Sequence, residues 1–183
     1  MIPVIELKDT RINQPAAILG GGPSLPQDLK RIPAGALLFS VNNHALQLTR
    51  ADYLVFRDSP EKFPALLQAV REFEGTRVSQ LKRWTDIDLE GVQWWDAPFS
   101  SSLATWMACW MGCNPILLAG MDLYQGKEKY FYDRIGFHLT ASQVAPAGPQ
   151  LRAWEKGKIY CPHAENIHAL SGPLVEVFGG WDE

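Results

Sequence analysis

Three consecutive glycines, Gly20, Gly21 and Gly22, stand where a short apolar run gives way to a helix-like segment, and Pro23 and Ser24 follow them. Glycine lets the backbone turn sharply and approach a ligand closely, and the N–H groups that open the next helix would face an anion. The spacing differs from the dinucleotide pattern G-x-G-x-x-G, and no Gly-Lys-Ser/Thr follows as in a P-loop. The motif therefore fits either a nucleotide cradle or a tight strand–helix turn without a ligand.

Small polar residues also follow the other expected strands. Ligands of open α/β sheets bind at the carboxyl ends of the strands. At that rim we expect Asn42 and Asn43, Arg57 and Asp58, Ser100 to Ser102, and Gly120, Asp122 and Tyr124. Such groups suit the edges of a base and the hydroxyls of a ribose. Asn42 could instead cap the next helix and Asp122 a turn, so it is their convergence on one rim that favours a nucleotide site.

Strands and helices alternate through residues 15–124. The expected strands are 15–20, 35–41, 52–56, 76–79, 91–95 and 114–120, with an edge strand at 3–7. The expected helices are 25–31, 43–48, 60–73 and 100–112; Ser59 and the three serines at 100–102 offer N-caps, and Gly112 offers a stop. This order predicts an α/β domain with a mostly parallel sheet.

The chain changes character after Tyr124. Residues 125–157 are polar, aromatic and rich in glycine and proline, and a loop of that length is usually a lid or disordered. Residues 158–161 resemble a short strand, and residues 164–178 a last helix that Gly172 and Pro173 weaken.

Composition limits the classes of protein. The 183 residues suit one domain, 1–183, and the net charge of −3 argues against a nucleic-acid partner. An odd and small number of cysteines favours reduced thiols in a cytoplasmic setting; they are Cys109, Cys113 and Cys161. We expect Cys109 and Cys113 to lie on one face of a helix, buried in the core rather than bound to a metal. We expect neither a transmembrane segment nor a signal peptide. The sequence leaves open whether the chain forms a homo-oligomer.

Three motifs together resemble one family. The segment from Gly20 to Leu25 resembles the G-N-G-P-S-L opening of the bacterial sialyltransferases of glycosyltransferase family forty-two, and the G-x-G-P-S-L of the related MptE-like proteins. The block from Ser100 to Tyr124 resembles a second family segment, with matches at Gly112, Gly120, Asp122, Tyr124, Gln125, Gly126 and Tyr130. The segment 159–163, followed by Asn166, resembles the family's Tyr-x-x-His.

The resemblance implies a Rossmann-like three-layer sandwich with a lid, and metal-independent transfer from the nucleotide-sugar CMP-sialic acid to a glycan acceptor, without a cofactor. It places Gly20 to Ser24 and Asn42 at the nucleotide, and Ser100 and Ser101 at the donor. It makes Tyr124 and Tyr130 hydrogen-bond donors to the phosphate, and His163 the catalytic base. These roles are chemically coherent, because phenolic donors stabilise a departing phosphate and a histidine can accept a proton near neutral pH.

Three positions depart from the sialyltransferase pattern. Gly21 replaces an asparagine, Asp58 beside Arg57 stands where another asparagine is expected, and Phe99 replaces a threonine. The segment 112–116 resembles the MptE-like branch at least as much. That branch implies an alternative, a pterin diphosphokinase that uses ATP and Mg²⁺, for which Asp122, Glu128 and Asp133 could supply carboxylates. A non-catalytic nucleotide- or glycan-binding protein is a further alternative.

Overall fold

The computed structural model describes residues 1–96, 99–125, 129–132 and 147–181. Strands β1 and β6 form a small parallel pair, and the other six strands form one parallel sheet with the order β5-β4-β3-β2-β7-β8. The strands are β1 (Ile2–Pro3), β2 (Ala16–Leu19), β3 (Leu37–Val41), β4 (Tyr53–Val55), β5 (Thr76–Val78), β6 (Ile87–Asp88), β7 (Ile116–Ala119) and β8 (Ile167–Ala169).

Five α-helices accompany these strands in the described part of the chain. They are α1 (Leu25–Asp28), α2 (Pro64–Glu72), α3 (Ser100–Trp110), α4 (Ala147–Gly157) and α5 (Val175–Phe178). Strand β2 lies inside the sheet, with Ala16 paired to Leu37 of β3 on one side and to Ile116 of β7 on the other. The chain moves outward through β3, β4 and β5 and returns through α3 to β7. The strand order therefore reverses between β2 and β7, where open α/β sheets bind ligands.

Helices cover both faces of the sheet. Successive side chains of a strand point to opposite faces, and in β2 all four residues are fully buried. Ile18 belongs to the core formed with Trp106 of α3, whereas Leu19 belongs to the core formed with Leu25 of α1. A third cluster packs Leu54 of β4 against α2. The predicted α/β fold with a mostly parallel sheet is confirmed.

Continuous apolar runs explain why the central strands follow the prediction. Strands buried on both faces carry apolar residues at successive positions, and the observed strands lie inside the predicted ranges. Helix α3 also follows the prediction. It ends at Trp110, and Gly112 takes a left-handed φ of 79°, which stops the helix. The serines do not cap it, because Phe99 occupies the N-cap position and the cap makes no side-chain hydrogen bond.

Several predicted elements are wrong. Residues 164–178 form a 3-10 turn, strand β8 and the short α5 instead of one helix; β8 pairs with β7 through Ile116 and Ile167. Residues 91–95 are not a strand, and the strand of that region is β6. Residues 158–160 and 4–7 are 3-10 helices rather than strands.

The predicted helix 60–73 is divided. A 3-10 turn, Pro60–Lys62, precedes α2, because Phe63 is extended with a φ of −133°. Ser59 does not cap it; its hydroxyl donates to Glu61 Oε2 at 2.7 Å. The predicted helix 43–48 is only a 3-10 turn, Ala45–Gln47.

The three cysteines are buried free thiols, but Cys109 and Cys113 do not share a helix. Cys113 lies beyond the end of α3, and burial raises the pKa of its thiol to about 11. A hydrogen bond with Cys161, together with burial, raises the pKa of Cys109 well above its ordinary value. Both thiols are therefore protonated at neutral pH and poorly nucleophilic.

Most of the predicted lid, residues 125–157, lies outside the described residues, and its last part is α4. Within the described ranges, no helix combines the length and the apolar character that a membrane span requires.

Candidate functional site

A pocket opens at the carboxyl edge of the sheet, where the strand order reverses. Its cavity volume is about 180 Å³, below the range of about 300–1,000 Å³ that is typical of drug-sized ligand sites. Its lining residues are Gly20, Gly21, Gly22, Val41, Asn42, His44, Arg57, Asp58, Phe99, Ser100, Ser101, Gly120, Met121, Asp122, Leu123, Tyr124, Lys129, Tyr130, Gln150 and Trp154. The structure thus brings together eleven of the fourteen residues predicted for the site.

The glycine loop has no space for side chains. A Cβ on Gly20 would overlap the carbonyl oxygen of Gly120, and a Cβ on Gly22 would overlap the Asp122 carboxylate. A Cβ on Gly21 would lie 2.7 Å from the His44 ring and 3.0 Å from Tyr130. Gly20 and Gly120 end the two strands that flank the reversal, so their close contact closes the floor of the pocket. The absence of side chains is required by packing whether or not a ligand binds.

The anion at the start of α1 is supplied by the protein itself. The backbone N–H of Ser24 donates to Asp122 Oδ2 at 3.2 Å, and the Ser24 hydroxyl lies 2.9 Å from the same oxygen. The N–H of Ser24 therefore does face an anion, and that anion is a carboxylate from the loop after β7. The contact of Ser24 with a nucleotide stays a prediction. Asp122 lines the pocket, whereas Pro23 and Ser24 do not.

A second carboxylate, which the sequence analysis did not identify, holds the same region. Asp28 is only 2% exposed, and its Oδ2 accepts from the backbone N–H of Gly120 at 2.9 Å and from the Ser171 hydroxyl at 2.8 Å. The Ser24 hydroxyl lies 3.0 Å from the same oxygen. Asp28 therefore joins α1 to the ends of β7 and β8.

A hydrogen-bond chain joins the opposite side of the pocket. The backbone N–H of Arg57 donates to Ser100 Oγ at 3.1 Å, and the Ser100 hydroxyl donates to Asn42 Oδ1 at 3.3 Å. Ser100 is 8% exposed. This chain fixes the ends of β3 and β4 against the first turn of α3.

The two predicted phosphate-binding tyrosines are neighbours. The rings of Tyr124 and Tyr130 meet edge to face with centroids 5.7 Å apart. Lys129 Nζ donates to the backbone carbonyl oxygen of Tyr124 at 2.7 Å, and Lys129 lines the same pocket as both tyrosines. Phenol and ammonium groups around one space form an environment suited to a phosphate.

The backbone around these side chains is strained. Asn42, Leu123 and Tyr124 have φ values of 52°, 50° and 60°, in the left-handed region that costs a non-glycine residue about 1–3 kcal/mol. Amide groups of Gln125 and Gln150 hold the turn, donating to the carbonyl oxygen of Leu123 at 2.8 and 3.3 Å. Backbone strain of this kind is concentrated at functional sites in proteins. All three strained residues line the pocket, which supports its interpretation as a functional site.

Among the described residues, one histidine lines the pocket, and it is His44 rather than the predicted His163. His44 is 5% exposed; its Nδ1 lies 2.6 Å from the Tyr132 hydroxyl, and its ring centroid is 5.1 Å from that of Tyr130. His163 does not line the pocket. Its side chain is 60% exposed, and its Nδ1 lies 3.3 Å from Glu165. His44 could have been found from the sequence, because it comes three residues after the end of β3, next to Asn42 and Asn43 at the expected rim.

The carboxylates proposed for Mg²⁺ cannot be compared as a set, since Glu128 and Asp133 lie outside the described residues. Among the residues that are described, no three His, Cys, Asp or Glu side chains form a metal-binding cluster. Asp122 is engaged with Ser24, and the other lining acid, Asp58, is exposed.

Comparison with known proteins shows the fold. No protein-family model matches the chain, and no curated protein matches it significantly in sequence. The solved structure of the sialyltransferase CstII from Campylobacter jejuni, in complex with the substrate analogue cytidine-5'-monophosphate, aligns with a TM-score of 0.57 and 15% identity, covering 92% of this chain and 85% of that one. The monofunctional alpha-2,3-sialyltransferase Cst-I from the same organism aligns with a TM-score of 0.57 and 17% identity, covering 92% and 80%. At such identities the shared property is the fold.

Proposed function

We propose that this protein is a glycosyltransferase of the sialyltransferase type, and that its pocket binds a CMP-linked sugar. The observation that carries the proposal is the convergence of the glycine loop, Asn42, Ser100, Tyr124 and Tyr130 around one pocket at the reversal of strand order. These residues match the family's motifs in separate parts of the chain. The shared fold with two sialyltransferase structures supports the same function.

The proposed reaction transfers the sugar from phosphate to a glycan hydroxyl. The acceptor oxygen bonds to the anomeric carbon as the bond to the phosphate oxygen breaks, so negative charge grows on the departing CMP. Tyr124 and Tyr130 would donate hydrogen bonds to that phosphate, and Lys129, which lines the same pocket, would add positive charge. This arrangement supplies charge stabilisation without a metal ion.

A base must take the proton of the acceptor hydroxyl. The family resemblance assigns this role to His163, which does not line the pocket, whereas His44 does. We retain His163 as the proposed base and test both imidazoles. The His163→Ala variant should lose turnover and keep CMP binding. Loss of turnover in His44→Ala alone would transfer the role to His44.

The test is CMP binding by calorimetry, and CMP release from CMP-sialic acid with a mixture of glycan acceptors, both in EDTA. We expect saturable binding and turnover without Mg²⁺. Binding of CMP without turnover of any donor would indicate a non-catalytic binding protein. A requirement for ATP and Mg²⁺ would instead indicate the diphosphokinase alternative and overturn the proposal.

A further inference from the structure

Arg57 carries a hydrogen-bond donor that has no partner among the described residues. It lies two positions beyond β4, lines the pocket, and its side chain is 16% exposed. Nη2 donates to Asp96 Oδ1 at 2.5 Å and to Gln80 Oε1 at 3.0 Å. Nη1 is buried and has no hydrogen-bond partner within the described ranges.

A buried unpaired guanidinium nitrogen is unusual. Buried polar groups nearly always have a partner, and an unmet donor of a charged group costs more than a neutral one. The remaining contacts of the side chain hold it in place, because Trp94 lies against the guanidinium at 5.4 Å from its ring centroid. A guanidinium that is held in place, partly desolvated and left with an unpaired N–H is suited to recognise carboxylate and phosphate oxygens.

The position of Arg57 separates it from the glycine loop. Strand β4 is two places from β2 in the sheet, and neighbouring strands are about 4.8 Å apart, so the ends of the two strands are roughly 10 Å apart. The guanidinium also bonds to Gln80, beyond β5 on the far side of β4, so a ligand group held by Arg57 lies away from Gly20 to Gly22. The distance suits opposite ends of one ligand.

We infer that the Arg57 guanidinium binds an oxyanion of the ligand at the end of the pocket away from the glycine loop. The inference rests on the proposed function and deepens it, because it gives the carboxylate of the transferred sugar, or the phosphate, a defined cationic partner. Asp96 is 68% exposed on its side chain and neutralises the guanidinium only in part. A carboxylate and a phosphate share this chemistry, and the experiment distinguishes them.

The experiment is calorimetric titration of the wild type, Arg57→Met and Arg57→Lys with four probes: cytidine, CMP, CMP-sialic acid and its carboxyl methyl ester. If the sugar carboxylate is the oxyanion, the wild type binds CMP-sialic acid about tenfold or more tightly than its methyl ester. The Arg57→Met variant then loses that preference, while its affinity for CMP stays within about twofold of the wild-type affinity. If the phosphate is the oxyanion, Arg57→Met weakens CMP by a similar factor and leaves cytidine unchanged. Arg57→Lys keeps the charge without the planar fork and should recover only part of either effect.

The control variant is Arg50→Met, which removes an exposed arginine outside the lining of the pocket. It should bind all four probes as the wild type does.

The assignment is overturned if the wild type and Arg57→Met bind every probe with equal affinity, provided that thermal melting shows both proteins to be folded. If the wild type binds no cytidine compound, the proposed function fails instead. The Arg57 assignment is then decided by thermal stabilisation with inorganic pyrophosphate, which Arg57→Met must lose for the assignment to stand.

Discussion

Asp122 accepts the backbone N–H of Ser24 at 3.2 Å, and its carboxylate thereby occupies the anion position at the start of α1. The two residues are 98 positions apart, yet they join the loop after β7 to the loop after β2. The glycine loop therefore packs with Ser24, Asp28 and Asp122 at one corner of the pocket, and there the protein supplies its own negative charge. For the proposed CMP ligand, the phosphate would therefore lie elsewhere in the pocket, which Tyr124, Tyr130 and Lys129 also line.

Removing the Asp122 carboxylate should loosen this corner. In Asp122→Ala the Ser24 N–H and hydroxyl lose an acceptor, and we expect the free energy of unfolding to fall by about 1–3 kcal/mol. Urea denaturation measures the change. Asp58→Asn is the matched control, because this exposed carboxylate lines the same pocket and should leave stability within about 0.5 kcal/mol. Equal stability of Asp122→Ala and wild type would contradict the role of the carboxylate.

A methyl group on Gly22 should be poorly tolerated. Its Cβ would overlap both the Asp122 carboxylate and the carbonyl oxygen of Gly120, and the latter is backbone that cannot rotate away. We expect Gly22→Ala to lower stability by about 1–3 kcal/mol, as overpacking does. Gly148→Ala is the control, since the nearest atom to its Cβ is a flexible Arg152 nitrogen at 3.5 Å. A Gly22→Ala protein as stable as the control would show that the corner can relax.

The sequence predicted the central sheet because its strands are continuous apolar runs, and it predicted the rim because strand ends are marked by glycine and polar residues. It did not predict β8, in which His168 interrupts a run of only three residues and which is a strand because it pairs with β7. Pairing between distant segments is decided by tertiary packing rather than by local propensity. Nothing in the sequence of residues 164–178 indicates that Ile167–Ala169 pairs with β7.

The same reason explains the missed residues of the site. The role of Asp28 rests on Gly120 and Ser171, which are 92 and 143 positions away, so no spacing in its neighbourhood reveals it. His44 faces the pocket because Gly21 leaves space for its ring. Motifs could identify the glycine loop and the paired tyrosines, whereas contacts across the fold could not be predicted.

Asp28 should be the more sensitive of the two corner carboxylates. It is buried and accepts hydrogen bonds from the Gly120 N–H and the Ser171 hydroxyl, so Asp28→Ala leaves both donors without this acceptor. We expect about 3 kcal/mol of destabilisation in urea denaturation. Ser171→Ala removes only one of the donors and should cost about 1 kcal/mol. A smaller loss for Asp28→Ala than for Ser171→Ala would reverse this order and argue against a central role of the carboxylate.

The paired tyrosines should distinguish a nucleotide from its nucleoside. Tyr124→Phe and Tyr130→Phe each remove one phenolic donor while keeping the ring, so each should weaken CMP by about fivefold or more without changing cytidine affinity. Calorimetric titration measures both ligands. Tyr160→Phe is the control, because that ring packs on the core and does not line the pocket. Equal weakening of cytidine and CMP would place the phosphate away from these phenols.

The ion pair of Arg77 and Asp86 should make stability depend on acid pH. Arg77 donates to both carboxylate oxygens, at 2.9 Å from Nε and 2.7 Å from Nη2, and these hydrogen bonds hold the pKa of Asp86 below its ordinary value. A carboxyl whose pKa is lower in the folded state stabilises the fold above its unfolded pKa and loses that contribution as pH falls through the folded pKa. Since both side chains are about one-third exposed, we expect only about 1 kcal/mol at neutral pH. Asp86→Asn should therefore be less stable than the wild type at pH 7, and urea denaturation should show the gap closing below about pH 4. Glu74→Gln changes an exposed acid and should be as stable as the wild type at every pH. If the stability difference between Asp86→Asn and the wild type stayed constant at low pH, packing rather than charge would be responsible.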